Sequence, residues 1–508
     1  MPRTAIAVLF AAGYALAAVN DPVKLDAGLI SGVPGHDSDV RVFKGIPFAQ
    51  PPLGNLRWRA PQPASHWDGV RKADEFGPTC MQAAGGRGPA PKMSEDCLFL
   101  NVWTAAKTSG ERRPVMVWLH PGGYTSGSGS SPAYDGEALA KKGVVLVTIN
   151  YRLGIFGFFS HPELTRESDR HASGNYAFMD QVAALQWVQK NIAAFGGDPR
   201  RVTVFGDSAG AASLSNLMGS PQARGLFQRA IAESGAWLGL SINPMRKLAD
   251  AEQAGVKTAE ALGAKSLTEL RAKPAEDVLK AGRGGGPVID GWFLPEDVGA
   301  TFAAGGQNDV PILVGSNKDE GTFFIQPAGA ERFIEQSRRR FGDLADTFFK
   351  LYPADSDEEA NVSQLAAFRD ELGWLMRNWA RLQTKTGKSR AFLYYFTHEP
   401  PVAEGSPRGG RGSGATHGAE AQYVFENLLG NRPWTDLDRQ LADTISSYWV
   451  NFATNGDPNG KGLPRWAPYD EKRSARPMVL GDQVEVGPDP NPSQLALYQA
   501  VYDKVTGR

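Results

Sequence analysis

The 508-residue sequence predicts an α/β fold in which helices cover both faces of a mostly parallel central sheet. Apolar, β-branched runs that end in polar or glycine-rich turns are typical of strands buried on both faces. Between two such runs, apolar residues recur at steps of three or four from Phe178 to Ile192, which predicts a helix. Strands that alternate with helices favour parallel pairing.

The predicted elements follow one another without an internal repeat, a heptad run or a charge block. The strands are predicted at residues 114–119, 144–149, 201–205, 311–314 and 391–396. Helix-compatible sequence begins at Ala211, and the glycine-rich segments 282–286 and 405–414 are predicted as surface loops. We therefore expect residues 19–508 to form a single domain.

The charge balance narrows the class of partner. The chain has 54 Lys and Arg residues against 55 Asp and Glu residues, which gives a formal net charge of -1. Binders of nucleic acid or of a membrane surface normally carry a basic excess. The composition therefore favours a globular protein and gives no reason to expect nucleic acid or a membrane surface as a partner, and the oligomeric state stays open.

The first 18 residues are predicted to be an export signal. Arg3 precedes an apolar stretch from Ala5 to Leu16, and small residues at Ala15, Ala17 and Ala18 suit cleavage. The alternative is a short N-terminal anchor, but the stretch is shorter than the roughly 20 residues that cross a bilayer as a helix. We expect a soluble mature protein without a membrane span, secreted or periplasmic.

The chain has two cysteines, Cys80 and Cys97. In an exported protein they favour a disulfide, and the alternative is two separate buried thiols. A metal site is less favoured, because no histidine lies within ten residues of either cysteine.

The pentapeptide Gly206-Asp207-Ser208-Ala209-Gly210 follows one predicted strand and precedes the helix-compatible stretch. In this context G-x-S-x-G forms a sharp turn that presents the serine hydroxyl to a cleft. Ser208 is therefore the candidate nucleophile.

A serine hydroxyl needs a neighbouring histidine as base and an acid that orients it, and with this turn the chain order is serine, acid, histidine. Only His398 and His417 follow Ser208. His398 ends a strand-like run, which is typical of a structural residue, whereas His417 lies in a turn, so His417 is favoured. For the acid, Asp319, Glu320 and Asp290 remain open, and one of the adjacent pair is expected to be solvated or paired with Lys318.

The attacked carbonyl also needs donors for its developing negative charge. Gly122 and Gly123 follow a predicted strand and are able to turn their N–H groups inward, together with the N–H of Ala209. Pro121 has no N–H to donate. The predicted oxyanion hole is therefore Gly122, Gly123 and Ala209. Tyr124 and Trp237 are candidates for the pocket lining, with core packing as the alternative.

These residues together resemble the type-B carboxylesterase family, which also contains the cholinesterases. The resemblance spans nearly the whole mature chain. It rests on residues 43–49 (Phe-Lys-Gly-Ile-Pro-Phe-Ala), 51–54 (Pro-Pro-Leu-Gly), 94–102 (Ser-Glu-Asp-Cys-Leu-Phe-Leu-Asn-Val), 150–152 (Asn-Tyr-Arg), 206–210, 319–321 (Asp-Glu-Gly), 417–418 (His-Gly) and 455–458 (Asn-Gly-Asp-Pro).

The resemblance implies an α/β-hydrolase fold and a serine carboxylesterase that needs no metal or organic cofactor. It implies that Glu320 is the acid, that Ser208, Glu320 and His417 form a triad, and that Cys80 pairs with Cys97. Pro121 stands where relatives usually have glycine, one place before the two matching glycines.

The resemblance also bears on the substrate. Cholinesterases hold a quaternary ammonium group with a tryptophan inside the first disulfide loop, whereas residues 81–96 contain no aromatic residue. A choline ester is therefore disfavoured. The alternatives to a general esterase are an esterase for a phenolic, mycotoxin or polyester ester and a non-catalytic binding protein. Arg408 and Arg411 are candidate contacts for an acidic acyl group, with solvated loop arginines as the favoured alternative.

Overall fold

A central sheet surrounded by helices organises the chain. The computed structural model describes residue 19 and residues 21–83, 92–240, 245–282, 284–402, 413–430, 432–471 and 476–507, and within them it contains 18 strands and 16 α-helices. The strands are β1 (Val23–Lys24), β2 (Leu29–Ser31), β3 (Val33–Pro34), β4 (Arg41–Pro47), β5 (Val70–Lys72), β6 (Thr79–Cys80), β7 (Met93–Ser94), β8 (Phe99–Thr104), β9 (Arg113–Leu119), β10 (Val145–Ile149), β11 (Gly197–Asp207), β12 (Arg229–Glu233), β13 (Arg246–Lys247), β14 (Val288–Ile289), β15 (Ile312–Asn317), β16 (Ala391–Phe396), β17 (Met478–Leu480) and β18 (Val484–Val486). The helices are α1 (Glu137–Lys141), α2 (Gly154–Gly157), α3 (Pro162–Glu167), α4 (Tyr176–Asn191), α5 (Ala209–Gly219), α6 (Leu248–Ala261), α7 (Leu267–Arg271), α8 (Ala275–Ala281), α9 (Val298–Ala303), α10 (Gly321–Phe324), α11 (Ala330–Phe341), α12 (Ala345–Leu351), α13 (Asp357–Thr386), α14 (Ala421–Val424), α15 (Asp436–Asn455) and α16 (Pro492–Thr506).

The central sheet has eleven strands in the order β18-β17-β16-β15-β12-β11-β9-β10-β8-β4-β3. The block from β17 to β10 pairs in parallel throughout. Antiparallel pairs flank this block on both sides. The predicted mostly parallel sheet is confirmed.

Both faces of the sheet are buried under apolar layers. In β9, Val115, Val117 and Leu119 join one core cluster, whereas Met116 and Trp118 join the other. Side chains alternate between the faces of a strand, so these clusters lie on opposite faces. Residues of α4, α5 and α13 belong to the first cluster, and residues of α14 and α15 belong to the second. Helices therefore cover both faces, as the sequence predicts.

The predicted strands correspond to β9, β10, β11, β15 and β16, and the predicted helix corresponds to α4. β11 begins earlier than predicted, at Gly197, because this residue pairs with Arg113 before a shift in register leads to Val202. The sequence analysis missed β12, a central strand whose alanines and charged ends give little β signal. Residues 282 and 284–286 lie in no helix or strand, as expected for a loop, and residues 405–412 lie outside the described residues.

Cys80 and Cys97 form a disulfide, which closes a short loop between residues 17 positions apart. This is the pairing that the family resemblance implies. Both cysteines are buried against the core cluster that contains α4.

The predicted export signal, residues 1–18, lies outside the described residues. In the part of the chain that is described, no helix combines the length and apolar character needed to cross a bilayer.

Candidate active site

The candidate residues meet at the edge of the sheet where the parallel strands end. Ser208 directly follows β11, Ser234 directly follows β12, and Glu320 lies three residues beyond β15. These strands are neighbours in the sheet. Open α/β sheets collect their functional side chains at this edge, because the carboxyl ends of parallel strands meet there.

Ser208 sits in a sharp turn between β11 and α5. Its backbone has a φ of 56° and a ψ of -117°, which non-glycine residues rarely adopt. The turn is held by a hydrogen bond from the Ser208 N–H to the Glu233 carbonyl, at 2.8 Å. A Cβ atom at Gly210 would lie 1.9 Å from the carbonyl oxygen of Leu119, so the strand and the helix approach closely only with glycine there.

His417 lies in the loop between β16 and α14. The Asp319 carboxylate accepts a hydrogen bond from the N–H of Ala415 at 2.9 Å, and Asp319 and Thr416 form a β-bridge. These contacts hold the loop against the end of β15. The imidazole is buried, with its Nδ1 atom 2.6 Å from Oε2 of Glu320. Its Nε2 atom has no hydrogen-bond partner within the described part of the chain, and His417 lines one cavity with Ser208.

Of the three candidate acids, Glu320 contacts the imidazole. Its side chain is fully buried, and its other oxygen accepts hydrogen bonds from Ser234 Oγ at 2.6 Å and from the N–H of Asn317 at 2.8 Å. Asp319 binds the histidine loop instead. Asp290 accepts hydrogen bonds from Asn175 and from backbone N–H groups of its own loop. Lys318 forms its ion pair with Glu399 rather than with either adjacent acid.

The electrostatic surroundings favour a charged imidazole. Burial lowers the pKa of His417, but the negative charges of Glu320 and Asp207 outweigh burial and raise it to about 9. Asp207 Oδ1 lies 4.0 Å from His417 Nε2. Burial raises the pKa of Asp207 to about 6, although the charge of His417 opposes that shift.

Two more buried carboxyl groups, those of Glu233 and Glu420, interact electrostatically with Asp207. Burial and the charge of Asp207 raise the pKa of Glu420 to about 8, and burial with the charge of Glu420 raises the pKa of Glu233. Glu420 accepts hydrogen bonds from Asn317 Nδ2 at 2.5 Å and from Tyr394 Oη at 3.1 Å. The same Asn317 therefore links Glu420 to Glu320. Burial and mutual repulsion favour the neutral forms of Glu233 and Glu420.

The loop after β9 carries the predicted oxyanion donors. Gly122 and Gly123 have positive φ angles of 122° and 61°, and the Gly122 carbonyl accepts hydrogen bonds from the N–H groups of Thr125 and Ser126. Gly123 and Ala209 line the cavity with Ser208, whereas Gly122 does not line it. Pro121 directly precedes Gly122 in this turn.

The cavity has a volume of about 230 Å³, and its walls are mostly apolar. Tyr124 and Trp237 both line it, and Trp237 Nε1 donates a hydrogen bond to Tyr124 Oη at 3.4 Å. The ring centroids of Phe324 and His417 lie 4.5 Å apart. The remaining apolar wall residues are Ala212, Ala236, Leu240, Phe368, Leu372 and Leu375. Such a cavity suits the apolar parts of an ester.

Some contacts around the candidate residues were not predicted from the sequence. Asn317 carried a usable signal, since it ends β15, whereas Ser234 carried none, because it follows β12, which the sequence did not predict. Glu420 carried none, because nothing in the sequence indicates that it turns back towards β15. His398 is structural, as expected: its two ring nitrogens contact Asp482 at 2.6 Å and Asp438 at 2.9 Å. The predicted acyl contacts Arg408 and Arg411 lie outside the described residues.

Comparisons with known proteins give one consistent result. A model of the carboxylesterase family matches residues 20–495. The chain is 39% identical to a fumonisin B1 esterase of Sphingopyxis macrogoltabida, over 94% of this chain and 91% of the relative. It is 34% identical to a para-nitrobenzyl esterase of Bacillus subtilis strain 168, over 89% of this chain and 94% of the relative. A solved PNB esterase structure, 34% identical, superposes with a TM-score of 0.81 over 95% of this chain and 100% of its own.

Proposed function

Because the chain belongs to the carboxylesterase family and is a carboxylic ester hydrolase, we propose that it works through a Ser208–His417–Glu320 triad and an acyl-enzyme. The observation that carries the proposal is the 2.6 Å contact between His417 Nδ1 and Glu320 Oε2, with Nε2 left unbonded beside the cavity of Ser208. That arrangement suits a histidine that accepts a proton on Nε2.

In the proposed reaction, Ser208 Oγ attacks the ester carbonyl carbon while His417 Nε2 takes the hydroxyl proton. The N–H groups of Gly122, Gly123 and Ala209 stabilise the negative carbonyl oxygen. The bond to the alcohol then breaks, and His417 returns the proton to the leaving alcohol oxygen. Water repeats the steps in place of Ser208 and releases the acid. Glu320 holds the tautomer of His417 that keeps Nε2 free.

Two further features belong to the proposal. The sheet draws strands from β3 to β18, which supports a single catalytic unit in residues 19–508. The N-terminal pattern and the buried disulfide support export to an oxidising compartment. The 39% identity to a fumonisin B1 esterase favours, as a second candidate, an esterase specialised for a mycotoxin-type ester.

A direct test is to trap the acyl-enzyme. The purified protein is mixed with p-nitrophenyl esters of increasing acyl length, and the burst of p-nitrophenolate is followed before the steady state. Rapid acid quench and peptide mass spectrometry should find the acyl mass on the peptide that contains Ser208. An acyl group found on a residue other than Ser208 would contradict the proposed mechanism. A burst of p-nitrophenolate without any acylated peptide would contradict it as well.

The pKa of His417 predicts an alkaline profile for the reaction. A base must be neutral to accept a proton, so kcat/KM should fall as the pH falls through about 9. Asp207→Asn removes one of the charges that raise this pKa, so the fall should move to lower pH. The measurement is kcat/KM from pH 6 to 10 for both proteins, corrected for spontaneous hydrolysis.

Glu331→Gln is the control for the pH series, because Glu331 is an exposed acid on α11. It should keep the wild-type profile. An unchanged profile in a folded Asp207→Asn protein would show that Asp207 does not act on the titrating group.

A further inference from the structure

One carboxylate stands among the apolar walls of the cavity. Phe368, Glu371, Leu372 and Leu375 follow the helical spacing of three and four residues on α13, and all four line the cavity. Apolar residues at this spacing normally form an uninterrupted stripe on the buried face of a helix. Glu371 interrupts the stripe, and its side chain is only 9% exposed.

The ion pair of Glu371 accounts for only part of its hydrogen-bonding capacity. Oε1 accepts a hydrogen bond from Arg340 Nη2 at 2.5 Å. Arg340, whose side chain is 47% exposed, supplies the counter-charge for this buried carboxylate. A carboxylate has acceptor sites on both oxygens, so a single contact from Arg340 leaves acceptor capacity for a second donor. The ion pair therefore compensates the charge of Glu371 without occupying all of its acceptor sites.

The apolar walls around Glu371 favour a substrate group that donates a hydrogen bond to its remaining acceptor sites. Among the described residues that line the cavity, Glu371 has the one carboxyl group and His417 the one imidazole. Hydrogen bonds to a charged acceptor are stronger than neutral ones, and a mostly apolar site strengthens them further. Conversely, an alkyl group that covers the carboxylate removes its water and returns no hydrogen bond.

From this geometry we propose that Glu371 is a specificity-determining residue that accepts a hydrogen bond from an amino or hydroxyl group of the substrate. The group belongs to the acyl or the alcohol part, away from the scissile ester. The preferred substrate is therefore an ester with an apolar body and a hydrogen-bond donor, and an acidic group at the same place is disfavoured. The inference rests on the proposed ester hydrolysis at Ser208.

The test uses matched esters with one varied group. In the acyl series, p-nitrophenyl esters carry 6-aminohexanoyl, 6-hydroxyhexanoyl, heptanoyl or 6-(trimethylammonio)hexanoyl groups. In the alcohol series, butanoate esters of 4-aminobutanol, 1,4-butanediol and 1-pentanol are followed by titration of the released acid. The amino and hydroxyl members distinguish the two donors, and the trimethylammonio member carries charge without a donor.

We expect at least one donor-bearing ester to exceed its alkyl counterpart by about 10- to 100-fold in kcat/KM. Glu371→Leu should remove this preference, and Glu371→Gln should reduce it while retaining an acceptor oxygen. Glu358→Gln, an exposed acid on the same helix, should keep the wild-type ratios. A purely structural role for Glu371 would change stability or lower all rates together and leave the ratios unmoved.

The outcomes separate this inference from the proposed function. If the wild-type protein hydrolyses the esters without a donor preference, or with a preference that survives in folded Glu371→Leu, the role of Glu371 is wrong and ester hydrolysis stands. A trimethylammonio ester that equals the amino ester would also overturn it, because charge without a donor would then suffice. A folded wild-type protein that hydrolyses no member of either series contradicts the proposed function itself. Where Glu371→Leu fails to fold, Glu371→Gln carries the test: a donor preference that this variant retains in full overturns the role of Glu371.

Discussion

Replacing Ser208 with alanine is expected to lower kcat for ester hydrolysis by about 10⁴- to 10⁶-fold. The substitution removes the oxygen that attacks the carbonyl, and the remaining donors and cavity supply only the catalysis that a bound water allows. Alanine has the same backbone preferences as serine at a φ of 56°, so the turn should persist. The measurement is kcat for a p-nitrophenyl ester, with folding checked by circular dichroism and thermal unfolding.

Ser234→Ala provides the matched control, because Ser234 is the other serine among the described residues that line the cavity. Its hydroxyl donates a hydrogen bond to Glu320 at 2.6 Å, so it supports the acid rather than attacking the substrate. We expect its loss to cost roughly tenfold, which is the value of one hydrogen bond to a charged group. If Ser234→Ala abolished hydrolysis and Ser208→Ala spared it, the assignment of the nucleophile would be wrong.

The pattern of buried strands was enough to predict the fold. Runs such as the one in β9 are short, apolar on both faces and rich in β-branched residues, which is typical of strands in a sheet covered on both sides. β12 escaped because its alanines carry little β preference, although its place between β11 and β15 makes it a strand. Tertiary position, rather than local sequence, decides such a segment.

The candidate site likewise combines residues that local sequence predicts with residues that depend on tertiary position. Ser208 and His417 follow from a local motif and from chain order, which sequence reveals directly. Between Asp319 and Glu320 the residues alone gave no choice, because a one-residue step decides which carboxylate reaches the imidazole and which one binds the loop at Ala415. The role of Glu371 depends on α13 passing beside the cavity, and no motif in the sequence indicates that contact.

Substitutions at the adjacent carboxylates Glu320 and Asp319 test which of them orients His417. Glu320→Gln is expected to lower kcat by about 10⁴-fold while the cavity keeps its shape. The Glu320 carboxylate lies 2.6 Å from Nδ1 of His417, so in the neutral imidazole it favours the proton on Nδ1 and leaves Nε2 unprotonated. A glutamine amide group offers its N–H₂ to Nδ1, which favours the tautomer with the proton on Nε2. That tautomer cannot take the proton of Ser208, and the cationic imidazole formed in the reaction also loses its counter-charge.

Asp319→Asn changes the neighbouring carboxylate in the same manner and is the control for this prediction. Its oxygen accepts a hydrogen bond from the N–H of Ala415, which the asparagine carbonyl is able to replace. We therefore expect a loss of roughly tenfold or less, accompanied by a lower unfolding temperature if the loop loosens. The measurement is kcat and kcat/KM for both variants on one p-nitrophenyl ester at several pH values. Hydrolysis by folded Glu320→Gln within tenfold of the wild type, or a larger loss in Asp319→Asn than in Glu320→Gln, would show that Glu320 does not orient His417.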